Sequence, residues 1–221
     1  DVQAHSANLD EYAAVNPSAV ALALLDDATK NSILTTLTAT RAETGAAAVP
    51  VLNKLREVLS VKDFGAVGDG TTDDTAAIQA ALDSSGDGVT IYIPEGTYKI
   101  TSTLTSTASR LRIMGAGPWS SALIGTMTTS AVMKIGSDAT NPQNIFLSGF
   151  RIDAASAQSA GGVGLHLRRV GYSIIENIVC GRLTNGTNKL YKGFWFDAVD
   201  HLYLSGFRAD AIAVDIDVNG Q

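Results

Sequence analysis

The chain has 221 residues, of which 45% are hydrophobic and 17% charged, so it is long enough for one sizeable core with a small appended element. Its formal net charge of −6 and pI near 4.9 leave no basic stripe for a phosphate backbone, which argues against a nucleic-acid partner. The single cysteine, Cys180, excludes an intrachain disulfide and a cysteine-based metal cluster, and no apolar run reaches the roughly 18 residues that cross a bilayer, so we expect no membrane insertion.

Residues 1–60 have a helical composition, because they are rich in Ala and Leu and contain one glycine, Gly45. The turn at residues 16–18 signals entry into a helix over 19–25, and Thr29 can cap a second helix. That second helix carries an apolar face formed by Ile33, Leu34 and Leu37. We therefore predict an α-helical region over residues 1–60, interrupted near Gly45 and Pro50.

The end of this region shows a short heptad-like pattern. Leu52, Leu55 and Leu59 stand three and four residues apart, with charged residues between them. Two interpretations remain open: the helix packs on its own domain, or it is a neck helix that associates around a threefold axis.

The amino-acid composition changes at Val61, where a Gly- and Asp-rich segment leads into an amphipathic helix predicted over residues 73–82. Thr72 or Asp73 is the expected N-cap, and the apolar stripe consists of Ile78, Ala81 and Leu82. The acidic residues have the chemistry of metal ligands, but helix capping and Asx turns account for them. We therefore assign no metal and no cofactor to this segment.

An internal repeat indicates the architecture of residues 61–221. An offset of 29 places Leu165 on Phe194 and Ile175 on Leu204, and an offset of 28 places Ile175 on Leu147. Each repeat contains a strand, a bend and a second strand, and the bends carry residue types that reach a left-handed backbone most cheaply: Gly149, Asn177 and Gly206. Alternation predicts these inward side chains: Ile145, Leu147, Phe150, Ile152, Ser173, Ile175, Ile178, Cys180, Leu202, Leu204, Phe207 and Ala209.

A period near 28 residues with three short strands describes a mostly β protein, a parallel β-helix over residues 61–221. We assign the first coil to residues 89–93, 98–100 and 111–113, with helix 73–82 as its lid. The strand pattern continues to Gln221, so we expect further coils to follow in a longer polypeptide.

Residues 61–82, 88–98 and 111–117 resemble the opening of the pectate-lyase-like β-helix superfamily, which includes phage tailspikes and pectinolytic enzymes. Residues 1–12 look like a linker segment that recurs in phage and prophage tail fibre proteins. The resemblance implies a right-handed β-helix, a homotrimer in the virion and an N-terminal region docked on phage tail or baseplate proteins. It also implies recognition, and depolymerisation, of a host surface polysaccharide by downstream coils.

Candidate catalytic carboxylates are sparse. Glu176 aligns with Ser148 and Ser205 of the neighbouring repeats, and the acidic pair of Asp197 and Asp200 aligns with Arg168 and Gly171. Asp153 and Asp210 end equivalent strands two coils apart, roughly 10 Å at about 4.8 Å per coil, a separation marginal for an inverting glycosidase. Strand-end aspartates are commonly turn residues, and Arg151 and Arg208 beside them suit surface pairs or a neighbouring chain. No catalytic residue is assigned, and enzymatic activity stays open.

Two further sets of side chains are predicted to point outward. His166 and Trp195 occupy matching positions, where Trp195 suits either stacking on a sugar ring or a subunit interface. Phe146, Ile174 and Tyr203 form an apolar column that we expect to be buried between protomers. Two alternative functions stay open: a secreted polysaccharide lyase or glycoside hydrolase, and a non-catalytic tail fibre or adaptor.

Overall fold

The structure, a computed structural model, describes residues 57–85, 88–181, 190–209 and 213–217 together with two short strands nearer the N terminus. The chain divides into two compact units, residues 1–56 and 57–221. In the first unit, β1 (Thr38–Ala39) pairs antiparallel with β2 (Val49–Pro50). The helices predicted over residues 19–37, and the part of the neck helix over 51–56, lie outside the described residues.

The predicted neck helix does not extend to Leu59, because Val58–Ser60 is strand β3. The backbone of β3 bonds to the next coil, with Leu59 in register with Ile91. Ser60 then caps a short 3-10 helix over Val61–Phe64 through a reciprocal capping box with Asp63. Sheet pairing and this cap therefore end any helix before Val58.

The second unit is a parallel β-helix with three sheets. Sheet I contains β3, β5 (Thr90–Ile93), β8 (Arg112–Gly115), β11 (Phe146–Ser148), β14 (Gly171–Glu176) and β17 (Asp200–Ser205). Sheet II contains β4 (Asp69–Asp73), β6 (Gly96–Ile100), β9 (Ser121–Gly125), β12 (Arg151–Ala154), β15 (Val179–Cys180) and β18 (Arg208–Ala209). Sheet III contains β7 (Leu104–Ser106), β10 (Ala131–Ile135), β13 (Val163–Arg168), β16 (Lys192–Asp197) and β19 (Ala213–Asp217).

Strand register confirms the 28- and 29-residue offsets. Leu147 pairs with Ile175, and Ile175 pairs with Leu204. The same inward column continues to earlier coils through Ile113 and Ile91, where the spacing is irregular. The sequence analysis placed residues 111–113 in the same coil as residues 89–93. This is wrong, because Ile113 stacks on Ile91 and residues 111–113 therefore belong to the following coil. The constant period fails there because the turns between strands differ in length.

The predicted bends have left-handed backbones, with φ of 75° at Gly149, 52° at Asn177 and 56° at Gly206. All predicted inward side chains from Ile145 to Cys180 are buried. Leu202 and Leu204 are half-buried. Phe207 is 43% exposed, so the prediction that it is buried is wrong, although its ring packs edge-on against the buried Phe194 ring with 5.8 Å between centroids. An inward side chain loses its water only when another coil stacks on it, and within the described residues none stacks on β18.

The amphipathic helix, α1, spans Thr75–Asp83, and its buried side chains include Ile78, Ala81 and Leu82. The N-cap position is Asp74, which corrects the expected Thr72 or Asp73. The Asp74 carboxylate makes no cap bond and instead accepts from the backbone N–H groups of Val67 and Gly68. Asp73 accepts from the N–H of Thr75 and so satisfies a donor of the first turn.

Helix α1 stands in the chain where each later coil has a strand of sheet III. The Gln79 side-chain amide accepts from the N–H of Thr105 in β7 at 2.9 Å and donates to its carbonyl at 2.9 Å. Thr75 Oγ1 similarly accepts from the N–H of Thr101. Side chains of the helix therefore take up backbone groups along the first edge of sheet III, which an open edge would leave unpaired.

Candidate functional site

The outer face of sheet III carries the most varied chemistry of the described chain. Strand register aligns Lys134, His166 and Trp195 in one outward column and Arg168 with Asp197 in the next. The following strand, β19, extends both rows in register. Because successive outward residues lie about 4.8 Å apart along the helix axis, each column forms a continuous ridge of functional groups.

His166 and Trp195 occupy matching positions in neighbouring coils, as predicted, and their rings stack on one another. Their ring centroids lie 4.1 Å apart with an interplanar angle of 4°. The Lys192 ammonium lies 4.5 Å from the centroid of the Trp195 ring, within cation–π distance. The indole ring is thus already engaged by a stacked imidazole and an ammonium group. Stacking of a free Trp195 face on a sugar ring, one of the two predicted roles, therefore requires displacement of these neighbours.

The imidazole of His166 is almost inaccessible, with 5% of the residue exposed. Burial lowers the pKa of His166 to about 4, the positive charges of Lys134, Arg168 and Lys192 act in the same direction, and the negative charge of Asp197 opposes them. The ring is therefore neutral at pH 7. Its Nε2 has no hydrogen-bond partner among the described residues and lies 3.9 Å from Oδ2 of Asp197.

Arg168 joins two carboxylates from neighbouring coils. Its Nη1 lies 2.7 Å from Oδ2 of Asp197, and its Nε donates to Oδ1 of Asp138 at 2.7 Å. Arg169, the next residue, donates from Nη1 to the backbone carbonyl of Asp138. A guanidinium held between two carboxylates is fixed in orientation, since its planar fork allows little rotation.

Short turns from sheet III to sheet I place these groups around a groove. Strand β13 ends at Arg168 and β14 begins at Gly171, and the equivalent turn runs from Asp197 to Asp200. The middle residues Arg169 and Ala198 both have φ of 53°. The groove, of about 400 Å³, is lined by Asp138, Asn141, Arg168, Arg169, Asp197, Ala198 and Asp200. This volume lies at the lower end of the roughly 300–1,000 Å³ of small-molecule sites.

Sheet I presents an outer face of different character. Phe146, Ile174 and Tyr203 are in register, which confirms the predicted apolar column. The Arg112 guanidinium lies 5.0 Å from the Phe146 ring centroid. Most of the exposed large apolar side chains in the described chain lie on this sheet: Val58, Met114, Tyr172, Ile174 and Tyr203. A contiguous apolar face of this kind marks an interaction surface.

The sequence-derived carboxylates do not form a common site. Glu176 is aligned with Ser148 and Ser205, as predicted, on the outer face of sheet I. Asp153 is buried in sheet II, where its Oδ1 accepts from the N–H of Ala154. Asp210 lies outside the described residues, so the predicted pairing of Asp153 with Asp210 stays untested.

Arg151 and Arg208, the two arginines beside those aspartates, differ from one another. Arg151 is buried, so it does not have the surface position that the sequence suggested, whereas Arg208 is exposed. The Arg151 guanidinium donates to the Pro118 carbonyl and lies 5.9 Å from the ring centroid of Trp119, which is 63% exposed. Trp119 covers this arginine on sheet II, away from the sheet III groove.

The acidic segment before α1 is accounted for by local hydrogen bonds. Asp69 accepts from the N–H groups of Thr71 and Thr72, and these bonds hold its pKa well below the usual range. Asp73 accepts from the hydroxyl of Thr101, and the pKa of Asp73 is lowered chiefly by side-chain bonds from Thr75 and Thr101. In this segment, turn and cap geometry explain the carboxylates, as predicted.

The repeat did not reveal the contribution of Asp138 and Asn141. Both lie in the long turn between β10 and β11, in a coil whose spacing departs from 28 or 29 residues. Arg168 and Asp138 are 30 positions apart, so a constant offset does not align them. The signal available in the sequence was the acidic residue shortly after β10, which alone resembles any turn aspartate.

Comparison with known proteins agrees with this architecture. Residues 58–159 match the sequence model of the family described as rhamnogalacturonase A/epimerase, pectate lyase-like. This segment is similar to that family. Mannuronan C5-epimerase AlgE5 of Azotobacter vinelandii is 58% identical over 43 residues, which cover 19% of this chain and 4% of that protein. The matched segment therefore spans a small part of both proteins.

Viral proteins are among the structural neighbours. ORF18 of Geobacillus virus E2 superposes with a TM-score of 0.61 and 26% identity, over 77% of this chain and 37% of that chain. The pre-mature gene product 12 of bacteriophage phi29 gives a TM-score of 0.51 at 22% identity, over 69% of this chain and 22% of that chain, and this shows a shared fold. No helix in the described part of the chain is long and apolar enough to cross a membrane.

Proposed function

We propose that this chain is the N-terminal part of a phage tailspike or tail fibre, in which residues 1–60 attach to the virion tail and the β-helix recognises a host surface polysaccharide. In the longer protein, we assign depolymerisation of that polysaccharide to further coils. The similarity to ORF18 of Geobacillus virus E2 over 77% of this chain is the observation on which the proposal depends. The pectate-lyase-like segment supports a carbohydrate as the ligand.

The contrast between sheets supports an assembly with separate surfaces for subunits and ligand. The apolar column Phe146, Ile174 and Tyr203 on sheet I suits burial against further copies of the chain. We propose a homotrimer with this face inward. The polar groove at the end of sheet III then faces solvent and is available to a polysaccharide.

A binding and cleavage experiment tests the function. The full-length protein is incubated with purified capsule or O-antigen from candidate host strains, and both retention on immobilised polysaccharide and release of reducing ends or unsaturated products are measured. We expect specific retention by at least one host polysaccharide. Retention without products indicates a non-catalytic fibre, whereas the absence of retention across all host glycans contradicts the proposal.

Virion attachment requires a separate measurement. A chain that lacks residues 1–56, the first compact unit, is compared with the full-length chain for incorporation into phage particles, followed by immunoblotting of purified virions. We expect the truncated chain to be absent from virions while its β-helix still binds polysaccharide. Normal incorporation of the truncated chain contradicts the proposed role of the N-terminal region.

A further inference from the structure

We propose that Trp119 is a stacking platform for one sugar ring of the host polysaccharide, separate from the groove on sheet III. The sugar it binds is a pyranose that has one face made of C–H groups, as glucose and galactose have. Such a face can lie flat on an indole, so that apolar surface of both partners leaves water. This inference rests on the proposed function and adds to it a contact residue and the class of sugar that it binds.

Trp119 lies in a connection that is longer than its counterparts in other coils. Residues 116–120 join β8 to β9. Four other described coils make the same turn from sheet I to sheet II with two residues each: 94–95, 149–150, 177–178 and 206–207. Two residues therefore suffice to close this corner, and the fold does not require the additional ones. Surface connections of this kind commonly carry binding residues, because the strands beneath position them without depending on them.

Backbone hydrogen bonds hold this loop from the coils on either side. The N–H of Gly117 donates to the carbonyl of Gly149 in the following coil at 2.8 Å. The carbonyl of Ser120 accepts from the N–H of Gly96 in the preceding coil at 2.9 Å. The loop is therefore fixed before a ligand binds, and a loop that is already ordered loses little entropy on binding.

The Trp119 ring is supported on one face and open on the other. The residue is 63% exposed, the largest fraction among the exposed large apolar side chains of the described chain. The Arg151 guanidinium lies over the ring, 5.9 Å from its centroid, and donates to the Pro118 carbonyl. The cation–π contact and the anchored loop restrict rotation of the indole, so its opposite face is presented to solvent in a fixed orientation.

Core packing does not explain a tryptophan at this position. Arg151 lies on the outer face of sheet II, in register with Ala122 and Val179. It is 8% exposed, because Pro118 and Trp119 cover it. The indole therefore packs on a charged group outside the β-helix core. This contact accounts for the burial of the arginine but leaves the outer face of the indole without a role in folding.

The surroundings of Trp119 favour a sugar over a protein partner. Glu95 and Thr97 flank Gly96, which bonds to the loop, and both side chains are exposed. A stable protein interface needs about 800 Å² on each partner with an apolar centre, and the contiguous apolar face of this chain lies on sheet I. A single aromatic ring with a carboxylate and a hydroxyl beside it fits a ligand that has one apolar face and hydroxyl groups around its rim.

Tryptophan fluorescence tests this contact, because Trp119 and Trp195 are the two tryptophans of the 221-residue chain. The probes are tetrasaccharides of β-linked glucose and of β-linked galactose, together with purified host polysaccharide. We expect at least one of them to shift the emission to shorter wavelength and to reduce quenching by acrylamide, since a stacked ring excludes water and quencher from the indole. In Trp119→Phe the remaining emission, from Trp195, should not respond to the same saccharide.

Retention on the immobilised saccharide measures the contribution to affinity. Trp119→Ala should weaken retention by about tenfold or more, because aromatic anchors carry a large share of binding energy. Trp119→Phe keeps a flat ring and should lose less than about threefold. Val67→Ala is a matched loss of an exposed apolar side chain, 49% exposed in the first coil, and should not change retention. Urea unfolding midpoints equal to wild type show that each variant is folded.

The outcomes separate this inference from the broader function. Equal retention of wild type and Trp119→Ala, or emission that no retained saccharide changes, overturns the platform while the polysaccharide-binding function stands. Loss of the trimer in Trp119→Ala, seen by size-exclusion chromatography, identifies the residue as a subunit contact and also overturns the platform. The absence of retention on every tetrasaccharide and on host polysaccharide overturns the function itself.

Discussion

The outer faces of sheets I and III arise from the same coils yet have opposite chemistry. On sheet I, the register partners Phe146, Ile174 and Tyr203 form an apolar column, and Tyr203 is 61% exposed. On sheet III, the equivalent rows carry an imidazole, an indole and an ion-paired arginine. The inward positions of both sheets are nevertheless the same kind of buried aliphatic or aromatic residue.

This contrast teaches that a β-helix separates stability from function along each strand. Alternation assigns one side of every strand to the core, where the stacked coils demand apolar residues. The other side is free of that demand, so one sheet can serve an interface and another a ligand. Changes to the shared core should therefore affect both faces, whereas changes to one outer face should leave the other unaffected.

The largest effect is expected from a substitution in the shared core, which should affect the outer faces of sheets I and III alike. Leu147→Ala deletes a fully buried side chain between Ile113 and Ile175. Loss of its burial and the cavity left behind should lower the free energy of unfolding by about 2–5 kcal/mol. Urea unfolding followed by circular dichroism measures the loss, and both self-association and glycan binding should weaken together. A loss confined to one face contradicts a shared core.

Charge on sheet I should disrupt assembly without affecting the groove. Ile174→Asp and Tyr203→Asp place carboxylates in the apolar column, and burying them between protomers carries a large desolvation penalty. Size-exclusion chromatography with light scattering should show a trimer for wild type and a monomer for both variants at about 10 µM, because an assembly separates when its dissociation constant lies well above the protein concentration. Ser102→Asp, at an exposed turn, is the matched control and should remain trimeric. A monomeric wild type contradicts the proposed assembly.

Low pH should destabilise the folded chain in part by protonating His166 on sheet III. The pKa of His166 in the folded chain is about 4, below its ordinary value near 6.5, because burial disfavours the charged ring. The neutral ring's contribution to stability is present in full above pH 6.5 and is lost as the pH falls towards 4. Between pH 7 and 4, His166→Phe should lose about 1–3 kcal/mol less stability than wild type.

Urea midpoints at several pH values measure this difference. Asp69 and Asp73 also have lowered pKa values and lose their contribution in acid, but they do so in both proteins, so the comparison isolates the histidine. Parallel pH profiles for wild type and His166→Phe contradict the assignment of a neutral, buried imidazole.

The smallest effect is expected at the first edge of sheet III. Gln79→Ala removes the two hydrogen bonds to the backbone of Thr105 and should destabilise the chain by about 1–2 kcal/mol. Gln79→Glu keeps an acceptor for the Thr105 N–H but cannot donate to its carbonyl, so its effect should be intermediate. Hydrogen exchange should locate the increased opening in β7 rather than in sheet I. Uniform opening of both sheets contradicts the proposed capping role of α1.

The extent of sequence-based prediction varies along the β-helix. The column of Leu147, Ile175 and Leu204 was predictable because the offset between these coils is 28 or 29 residues. Ile113 was placed in the wrong coil because it follows Ile91 by a shorter interval. A constant period finds only coils whose turns have equal length, and turns on the surface tolerate length changes that strands in the core do not.

The same limit applies to the candidate site. Trp195 could be paired with His166 from the sequence, since both stand at the same place in neighbouring repeats. The bond from Arg168 to Asp138 could not be predicted from the sequence, because Asp138 lies in a turn whose length departs from the regular repeat. Ion pairs between long side chains depend on positions differing by a few ångströms, which a hydrophobic pattern does not encode.

The amino-acid sequence by itself determined which residues face the core of this β-helix and where its chain bends, because apolar alternation and left-handed Gly or Asn positions are local properties of the chain. Tertiary structure alone decided which outward groups meet. The ring stack on sheet III, the double ion pair of Arg168 and the unsatisfied Nε2 of His166 all depend on how unequal turns bring distant residues together. Burial follows from composition along one strand, whereas a site requires the relative placement of several.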